Sequence, residues 1–270
     1  IGIQPDILVC RAKAPLSLDD RKKMSLFTNV PFNSVISLPD VSDIYSIPSL
    51  LKQENIDQVI LEQWGDDAPS ADLSDWEAVV TRKTAAKGKL LIGLVGKYIA
   101  LPDAYKSVLE ALEHAGRYLH QEVEVSMVDA TQAPDLTAYA GIIVPGGFGD
   151  RGIEAMISVA EEAYQQKIPY FGICLGLQIA LIAAARRAGL EGANSTEFDA
   201  DTPYPVVAMM TEWQDESGVQ CTRGEHSDLG GTMRLGGQAF STEPGTRLAL
   251  AYGAKGFERH RHRYEINPAF

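Results

Sequence analysis

The sequence has little cysteine and no long apolar run. Its three cysteines, Cys10, Cys174 and Cys221, are too few and too scattered over 270 residues for a disulfide framework or a four-ligand zinc site. No apolar stretch reaches the roughly 18 residues that a membrane-spanning helix needs. We therefore expect a protein of a reducing compartment, the cytoplasm, with no membrane partner.

Basic residues are also scarce. The chain has 24 Lys and Arg against 36 Asp and Glu, which gives a formal net charge of −12. A charge of this sign argues against a broad nucleic-acid surface, so an anionic ligand has to meet local clusters of positive charge. Hydrophobic residues make up 45% of the chain and charged residues 22%, which excludes a disordered or fibrous protein.

From residue 90 onward, short apolar runs alternate with amphipathic segments. This alternation predicts an α/β fold with a doubly wound, mostly parallel sheet, followed beyond Pro205 by antiparallel strands. The predicted strands span residues 90–95, 123–128, 141–144 and 169–173, and the predicted helices span residues 104–114, 153–165 and 177–187.

The first 64 residues predict two strands, at 6–10 and 34–38, and one helix from 47 to 60 with Pro48 in its first turn. These elements are too few to build a core alone. The small and polar residues of 65–89 indicate a linker. The chain opens with Ile1 and shows no signal-peptide pattern, so we expect a piece of a longer protein.

The clearest chemical signal is the segment Gly172-Ile173-Cys174-Leu175-Gly176, at the junction of a predicted strand and helix. A sharp turn there exposes the central side chain, and a helix N-terminus favours the reactive thiolate. The N–H of Leu175 can then donate to an oxyanion. The alternative is that Cys174 is a small buried apolar residue, as most free cysteines are.

A second glycine-rich segment, 145–152, follows the predicted strand 141–144. It has neither the Walker A nor the Rossmann spacing. Ligands of open α/β sheets bind at the carboxyl ends of the strands, where glycines let backbone N–H groups face the ligand. Beside a nucleophile, this segment is predicted to form the other half of an oxyanion hole. Alone it could equally be a tight turn.

Several strings resemble the CTP synthases. In the larger part these are Pro-Gly-Gly-Phe-Gly-Asp-Arg-Gly at 145–152, Phe-Gly-Ile-Cys-Leu-Gly-Leu-Gln at 171–178, Ala-Asn-Ser-Thr-Glu-Phe at 193–198, Gly-Gly-Thr-Met-Arg-Leu-Gly at 230–236 and Glu-Arg-His-Arg-His-Arg-Tyr-Glu at 258–265. Residues 2–6 and 40–45 resemble the end of the synthetase half of that family. The resemblance implies a synthetase remnant over 1–64, a linker over 65–89 and a flavodoxin-like class I glutaminase domain over 90–270.

The resemblance also implies a reaction and its ligands. CTP synthases hydrolyse glutamine and use the ammonia to aminate UTP, with ATP and Mg2+ as co-substrates and GTP as an activator. No covalently bound cofactor and no metal site within this segment is implied. Homotetramers and filaments are the implied assemblies.

By matching motifs, the resemblance assigns roles to eight residues. Cys174 is the nucleophile, and Gly147 and Leu175 supply the oxyanion-hole N–H groups. Gln178, Glu197 and Arg263 hold the amino acid end of glutamine, with Arg263 suited to a carboxylate and Glu197 to an ammonium group. Lys23 contacts the pyrimidine nucleotide and Val41 lies at the adenine pocket.

One expected motif is absent. The family takes its general base and the carboxylate that orients it from a His-Pro-Glu motif, and none occurs in these 270 residues. We therefore keep two alternatives to a glutamine-hydrolysing enzyme. One is a catalytically silent binding or assembly module, and the other is an unrelated cysteine hydrolase with the same Gly-x-Cys-x-Gly turn.

Overall fold

The computed structural model describes residues 2–132, 134–209, 212–214, 220–222 and 234–270. The chain divides into two compact units. The first comprises residues 1–89 and 113–122, and the second comprises residues 90–112 and 123–270. The assignment of 1–64, 65–89 and 90–270 to a synthetase remnant, a linker and an amidotransferase domain stays a prediction.

Strands and helices are numbered here in chain order. The strands are β1 Leu8–Ala12, β2 Val35–Pro39, β3 Gly88–Gly96, β4 Gln121–Asp129, β5 Gly141–Val144, β6 Tyr170–Gly172, β7 Asn194–Ser195, β8 Pro205–Met209, β9 Glu212–Gln214, β10 Gln220–Thr222, β11 Arg234–Ser241, β12 Lys255–His262 and β13 Tyr264–Ile266. The α-helices are α1 Leu18–Thr28, α2 Ile47–Gln53, α3 Ile56–Trp64, α4 Ser74–Thr84, α5 Lys106–Leu119, α6 Ile153–Gln165, α7 Leu175–Arg187 and α8 Arg247–Tyr252.

The second unit is organised around a four-stranded sheet of order β4-β3-β5-β6. β5 pairs with β3 and with β6, both times in parallel. The core is apolar: Ile142 and Val144 of β5 belong to the same buried cluster as Met156 of α6 and Ile179 of α7, all fully buried. The predicted α/β class with a mostly parallel sheet is confirmed.

Smaller sheets follow the parallel one. β11 and β12 form an antiparallel hairpin, β13 pairs antiparallel with β8, and the short β7 runs parallel to β8. β9 and β10 form a further antiparallel pair. The irregular antiparallel region predicted beyond Pro205 is therefore confirmed. Of the motif at 230–236, residues 230–233 lie outside the described residues. Over the part of the chain that is described, no helix is long and apolar enough to cross a membrane.

The first unit contains a parallel pair of strands, β1 and β2, in which Val35 and Ile36 are fully buried. The single helix predicted from 47 to 60 is wrong, because the chain forms α2 and α3 with a break between them. Asn55 adopts the left-handed conformation at the break, with φ of 57°, which asparagine tolerates better than most residues. Its carbonyl oxygen accepts the N–H of Val59 at 3.0 Å.

Candidate active site

Cys174 lies in a strained turn between β6 and α7. Its backbone has φ of 56° and ψ of −106°, a conformation that few residues with a side chain adopt. The neighbouring glycines are needed for space: a Cβ on Gly176 would overlap the carbonyl oxygen of Val144, and a Cβ on Gly172 would overlap the backbone of Gly176. The turn thus presents a thiol at the carboxyl edge of the parallel sheet, where the sequence predicts it.

Two backbone segments meet beside the thiol. Leu175 is the first residue of α7, so its N–H has no acceptor within the helix and lies at the positive end of the helix dipole. The glycine loop after β5 faces it. A Cβ built on Gly147 would lie 3.1 Å from Cδ2 of Leu175, and one on Gly146 would lie 3.6 Å from Cβ of Cys174. A side chain at Gly147 would therefore crowd Leu175, whereas one at Gly146 would make ordinary contact with Cys174.

Buried polar groups hold the glycine loop in place. Lys97 is 5% exposed, and its Nζ donates to the carbonyl oxygen of Phe148 at 3.3 Å and to that of Gly149. The N–H of Gly149 donates to Oε1 of Glu197 at 3.1 Å, and the N–H of Phe148 donates to the hydroxyl of Tyr98 at 3.3 Å. Burial lowers the pKa of Lys97, and the nearby charge of Glu197 partly opposes this.

A cavity of about 220 Å³ opens at the thiol. One wall comes from the start of α7 and the other from β12 and β13. The lining residues are Cys174, Leu177, Gln178, His260, His262, Tyr264, Glu265 and Ile266. The cavity therefore combines one nucleophile with two imidazoles and a carboxylate.

His262 contacts both the thiol and a carboxylate. Its ring is hydrogen-bonded to Cys174, and its Nδ1 lies 3.3 Å from Oε1 of Glu265. The interaction with Cys174, and after it the one with Glu265, raises the pKa of His262 to about 9, against the opposing effect of burial. An imidazole with this pKa is protonated at neutral pH, so it can act as a proton donor beside the sulfur of Cys174.

The sequence reasoning missed this pair. It assigned no role to any histidine, because the expected His-Pro-Glu motif is absent. A signal was present all the same: His260 and His262 alternate with arginines along β12, so both imidazoles share one face of the strand, and Glu265 follows three residues after His262.

The structure brings some of the predicted glutamine-binding residues to the thiol. Gln178 is buried and lines the cavity, where its Nε2 donates to the carbonyl oxygen of Tyr264 at 2.9 Å. Glu197 lies at the glycine loop. Arg263 is half-buried next to His262 and is not among the described residues that line the cavity.

The two predicted nucleotide contacts lie in the first unit. Lys23 is exposed on α1, and Val41 is half-buried directly after β2. Their roles stay predictions.

A parallel α/β sheet with a strained cysteine turn facing a glycine-rich loop is the architecture of a class I glutamine amidotransferase. The family model of class I glutamine amidotransferases matches residues 100–270, and that of the CTP synthase N-terminus matches residues 1–65. Among solved structures, the chain is similar to the Trypanosoma brucei CTPS glutaminase domain with bound acivicin, with 33% identity and a TM-score of 0.56. The match covers 67% of this chain and 69% of that one. The chain belongs to the CTP synthase family and carries a class I glutamine amidotransferase domain.

Proposed function

We propose that the chain hydrolyses glutamine to glutamate and ammonia, with Cys174 as the nucleophile. The observation that carries this proposal is the contact between His262 and the thiol of a cysteine held in a strained turn. A buried structural cysteine has no need of a strained backbone or of an ionisable partner.

The reaction begins when Sγ of Cys174 attacks the side-chain amide carbon of glutamine. The carbonyl oxygen becomes an oxyanion, which accepts hydrogen bonds from the N–H groups of Gly147 and Leu175. When the intermediate collapses, the C–N bond breaks and the nitrogen takes a proton from the His262 imidazolium, so that ammonia leaves and a glutamyl thioester remains. Water then attacks the thioester while neutral His262 accepts its proton. Breaking of the C–S bond releases glutamate and regenerates the thiolate–imidazolium pair.

Glu265 contributes to this reaction through His262. Its carboxylate holds Nδ1 of the ring, which fixes the orientation of the ring and stabilises its charged form. Glu265 is therefore a positioning residue in this scheme. It plays the part that the family resemblance assigns to the carboxylate of the His-Pro-Glu motif.

The amino acid end of glutamine needs one negative and one positive partner. We propose Glu197 for the ammonium group, because its Oε1 accepts a single N–H, from Gly149, within the described residues, and so has capacity for a further donor. We propose Arg263 for the carboxylate, which a guanidinium can bind bidentately. Gln178, fixed to Tyr264, completes the wall of the pocket.

We further propose, from membership of the family, that the ammonia aminates UTP in an ATP-dependent reaction activated by GTP in the cytoplasm. Lys23 would contact the pyrimidine nucleotide and Val41 the adenine, with homotetramers or filaments as the assembly. Mg2+ enters with ATP as part of the substrate. Within the described residues, the one group of three His, Cys, Asp or Glu close enough to share an ion lies at the Cys174 cavity.

A glutaminase assay with matched variants tests the proposal. We expect Cys174→Ala to abolish glutamate release and His262→Gln to lower turnover by about 10²-fold or more, since general acid–base catalysis contributes roughly 10²–10⁴-fold. Cys10→Ala is the control, because Cys10 is a half-buried cysteine of the first unit, whereas Cys174 belongs to the second. A glutamine-like electrophile should label Cys174 alone.

The same assay separates the alternatives. A chain that releases no glutamate and takes no label at Cys174 supports the silent binding or assembly module suggested by the absent His-Pro-Glu motif. Full turnover in His262→Gln would show that another group supplies the base. Ester hydrolysis without glutamine hydrolysis would instead support an unrelated cysteine hydrolase.

A further inference from the structure

The side chain of Tyr170 connects β6 with the first turn of α7. Its hydroxyl donates to the carbonyl oxygen of Gly176 at 2.9 Å. The ring is partly buried against the core of the second unit, and burial raises the pKa of Tyr170, so the hydroxyl keeps its proton and stays a donor at neutral and mildly alkaline pH. A carbonyl oxygen has two lone pairs and can accept this hydroxyl in addition to a helical N–H.

The nucleophile lies between the two bonded groups. The segment from Tyr170 to Gly176 contains Cys174 and also Leu175, whose N–H is proposed for the oxyanion hole. Among the described residues, the bond from Tyr170 is the one hydrogen bond that a side chain makes to a backbone group of residues 172–176. Loss of this hydroxyl therefore acts on the backbone of the turn without removing any group that the proposed reaction uses.

A steric contact and the hydrogen bond restrain the Gly176 carbonyl in opposite senses. A Cβ built on Gly172 would lie 2.3 Å from both the carbonyl carbon and the carbonyl oxygen of Gly176, so the two backbone segments are already in close contact. This contact limits how closely the start of α7 approaches β6. The hydroxyl of Tyr170 limits how far it withdraws. Together they leave the first turn of α7 a narrow range of positions.

The strained backbone of the nucleophile makes such restraint necessary. Cys174 has φ of 56° and ψ of −106°, and a conformation of this kind persists only where the surrounding structure holds it. If the first turn of α7 withdraws, the strained residue relaxes, and Sγ of Cys174 moves relative to the N–H of Leu175. The proposed attack needs both groups at one amide, the sulfur at its carbon and the N–H at its oxygen.

We propose that Tyr170 is a positioning residue for the hydrolysis of glutamine, an inference that rests on the proposed function. Its hydroxyl holds the first turn of α7 and thereby the alignment of Cys174 with the N–H of Leu175. Tyr170 lines a different cavity, of about 510 Å³, and is not among the described residues that line the cavity at Cys174. Its loss should therefore lower the rate of the reaction and leave the affinity for glutamine unchanged.

Amide hydrogen exchange of the full 270-residue chain tests the restraint without any turnover. Tyr170→Phe keeps the ring and loses only the hydroxyl. We expect the amides at the start of α7 to exchange faster by about 3- to 10-fold, the range that one neutral hydrogen bond supports. The reporting amides are those of Gly176, Leu177 and Gln178, which donate to carbonyl oxygens of the turn. The amides of α6 are the internal reference and should exchange as before.

Tyr139→Phe is the matched control variant. Tyr139 is also a partly buried tyrosine packed against the core, and its hydroxyl is hydrogen-bonded to Oγ of Ser126 at 3.2 Å. It lies just before β5, at the end of that strand opposite to the glycine loop. We expect unchanged exchange at the start of α7 in this variant. Unchanged exchange there in Tyr170→Phe, or an equal rise in α6, overturns the proposal, because the hydroxyl would then contribute nothing or only general stability.

Steady-state kinetics test the effect on the reaction. We expect kcat of Tyr170→Phe to fall by about 3- to 10-fold with KM unchanged, and the maximal rate of inactivation by a glutamine-like electrophile to fall in parallel. Tyr139→Phe should keep all three values. An unchanged kcat together with faster exchange at the start of α7 overturns the positioning role. If the unsubstituted chain hydrolyses no glutamine, the proposed function is contradicted, and the exchange result alone decides whether Tyr170 holds the turn.

Discussion

Replacement of Cys174 by glycine and by alanine should separate the strain of the turn from its chemistry. Both variants lack the thiol, so neither should release glutamate. They differ in the backbone, because alanine keeps a Cβ at φ of 56° and ψ of −106°, whereas glycine adopts positive φ without steric cost. Any difference in their stability therefore reports the strain stored at the nucleophile.

The expected magnitude follows from two opposing effects. A residue held in a sparsely populated backbone region costs about 1–3 kcal/mol, which glycine relieves. Glycine in turn loses more conformational entropy on folding than alanine, at a cost of about 0.5–1 kcal/mol. We expect Cys174→Gly to be more stable than Cys174→Ala by about 1 kcal/mol, which corresponds to roughly 2–4 °C in the melting temperature for domains of 150–250 residues.

Urea unfolding of the two variants, followed by circular dichroism, measures the difference. Ala188→Gly serves as the control, because Ala188 is exposed, has an ordinary φ of −74° and caps the C-terminus of the same helix, so glycine should destabilise there. If Cys174→Gly proved no more stable than Cys174→Ala, the turn would store no strain and the reasoning would be refuted.

Three further changes have defined outcomes. Gly176→Ala should lower stability by about 1–3 kcal/mol in urea unfolding and also reduce glutaminase turnover, because its Cβ overlaps the carbonyl of the buried Val144. Lys97→Met should reduce turnover by roughly 10-fold or more, short of the ~10²–10³ for a lost oxyanion donor, because the glycine loop loses two of its anchoring hydrogen bonds. Unchanged turnover would mean that the bonds from Tyr98 and Glu197 are enough to hold the loop. Arg186 lowers the pKa of Glu154, so their ion pair stabilises the fold above the ordinary carboxyl pKa of about 4.3 and is lost as pH falls through the lower folded value. Glu154→Gln should therefore be less stable by up to about 1 kcal/mol at pH 7, with the difference vanishing in acid unfolding curves.

Local patterns predict the elements of the parallel sheet well. The strand at 141–144 and the helix at 153–165 have the predicted bounds, since each carries a continuous or strongly periodic apolar pattern that the core satisfies. α1 was not predicted, because none of its residues is buried and its apolar residues, such as Leu26 and Phe27, point to solvent. Its start depends instead on Ser17, whose hydroxyl accepts the N–H of Asp20 at 3.1 Å.

The candidate site was predictable where the chemistry is local. Cys174 and Leu175 follow from a five-residue pattern, and the glycine loop from its place after a buried strand. The partners of the thiol come from β12 and β13, which lie far from Cys174 along the chain. No local pattern shows that His262 faces Cys174. The same holds for Lys97, whose burial under the glycine loop is a property of the folded sheet.

The link between Gln178 and Tyr264 has a consequence for the order in which the site is assembled. The side chain of Gln178 fastens the nucleophile helix to the strand that follows the histidines. During synthesis, β6 and α7 emerge well before β12 and β13. Until that strand docks, Cys174 has no imidazole beside it. A nascent or partly unfolded chain therefore carries Cys174 without its imidazole partner. We expect the thiol to become reactive only once the domain has folded.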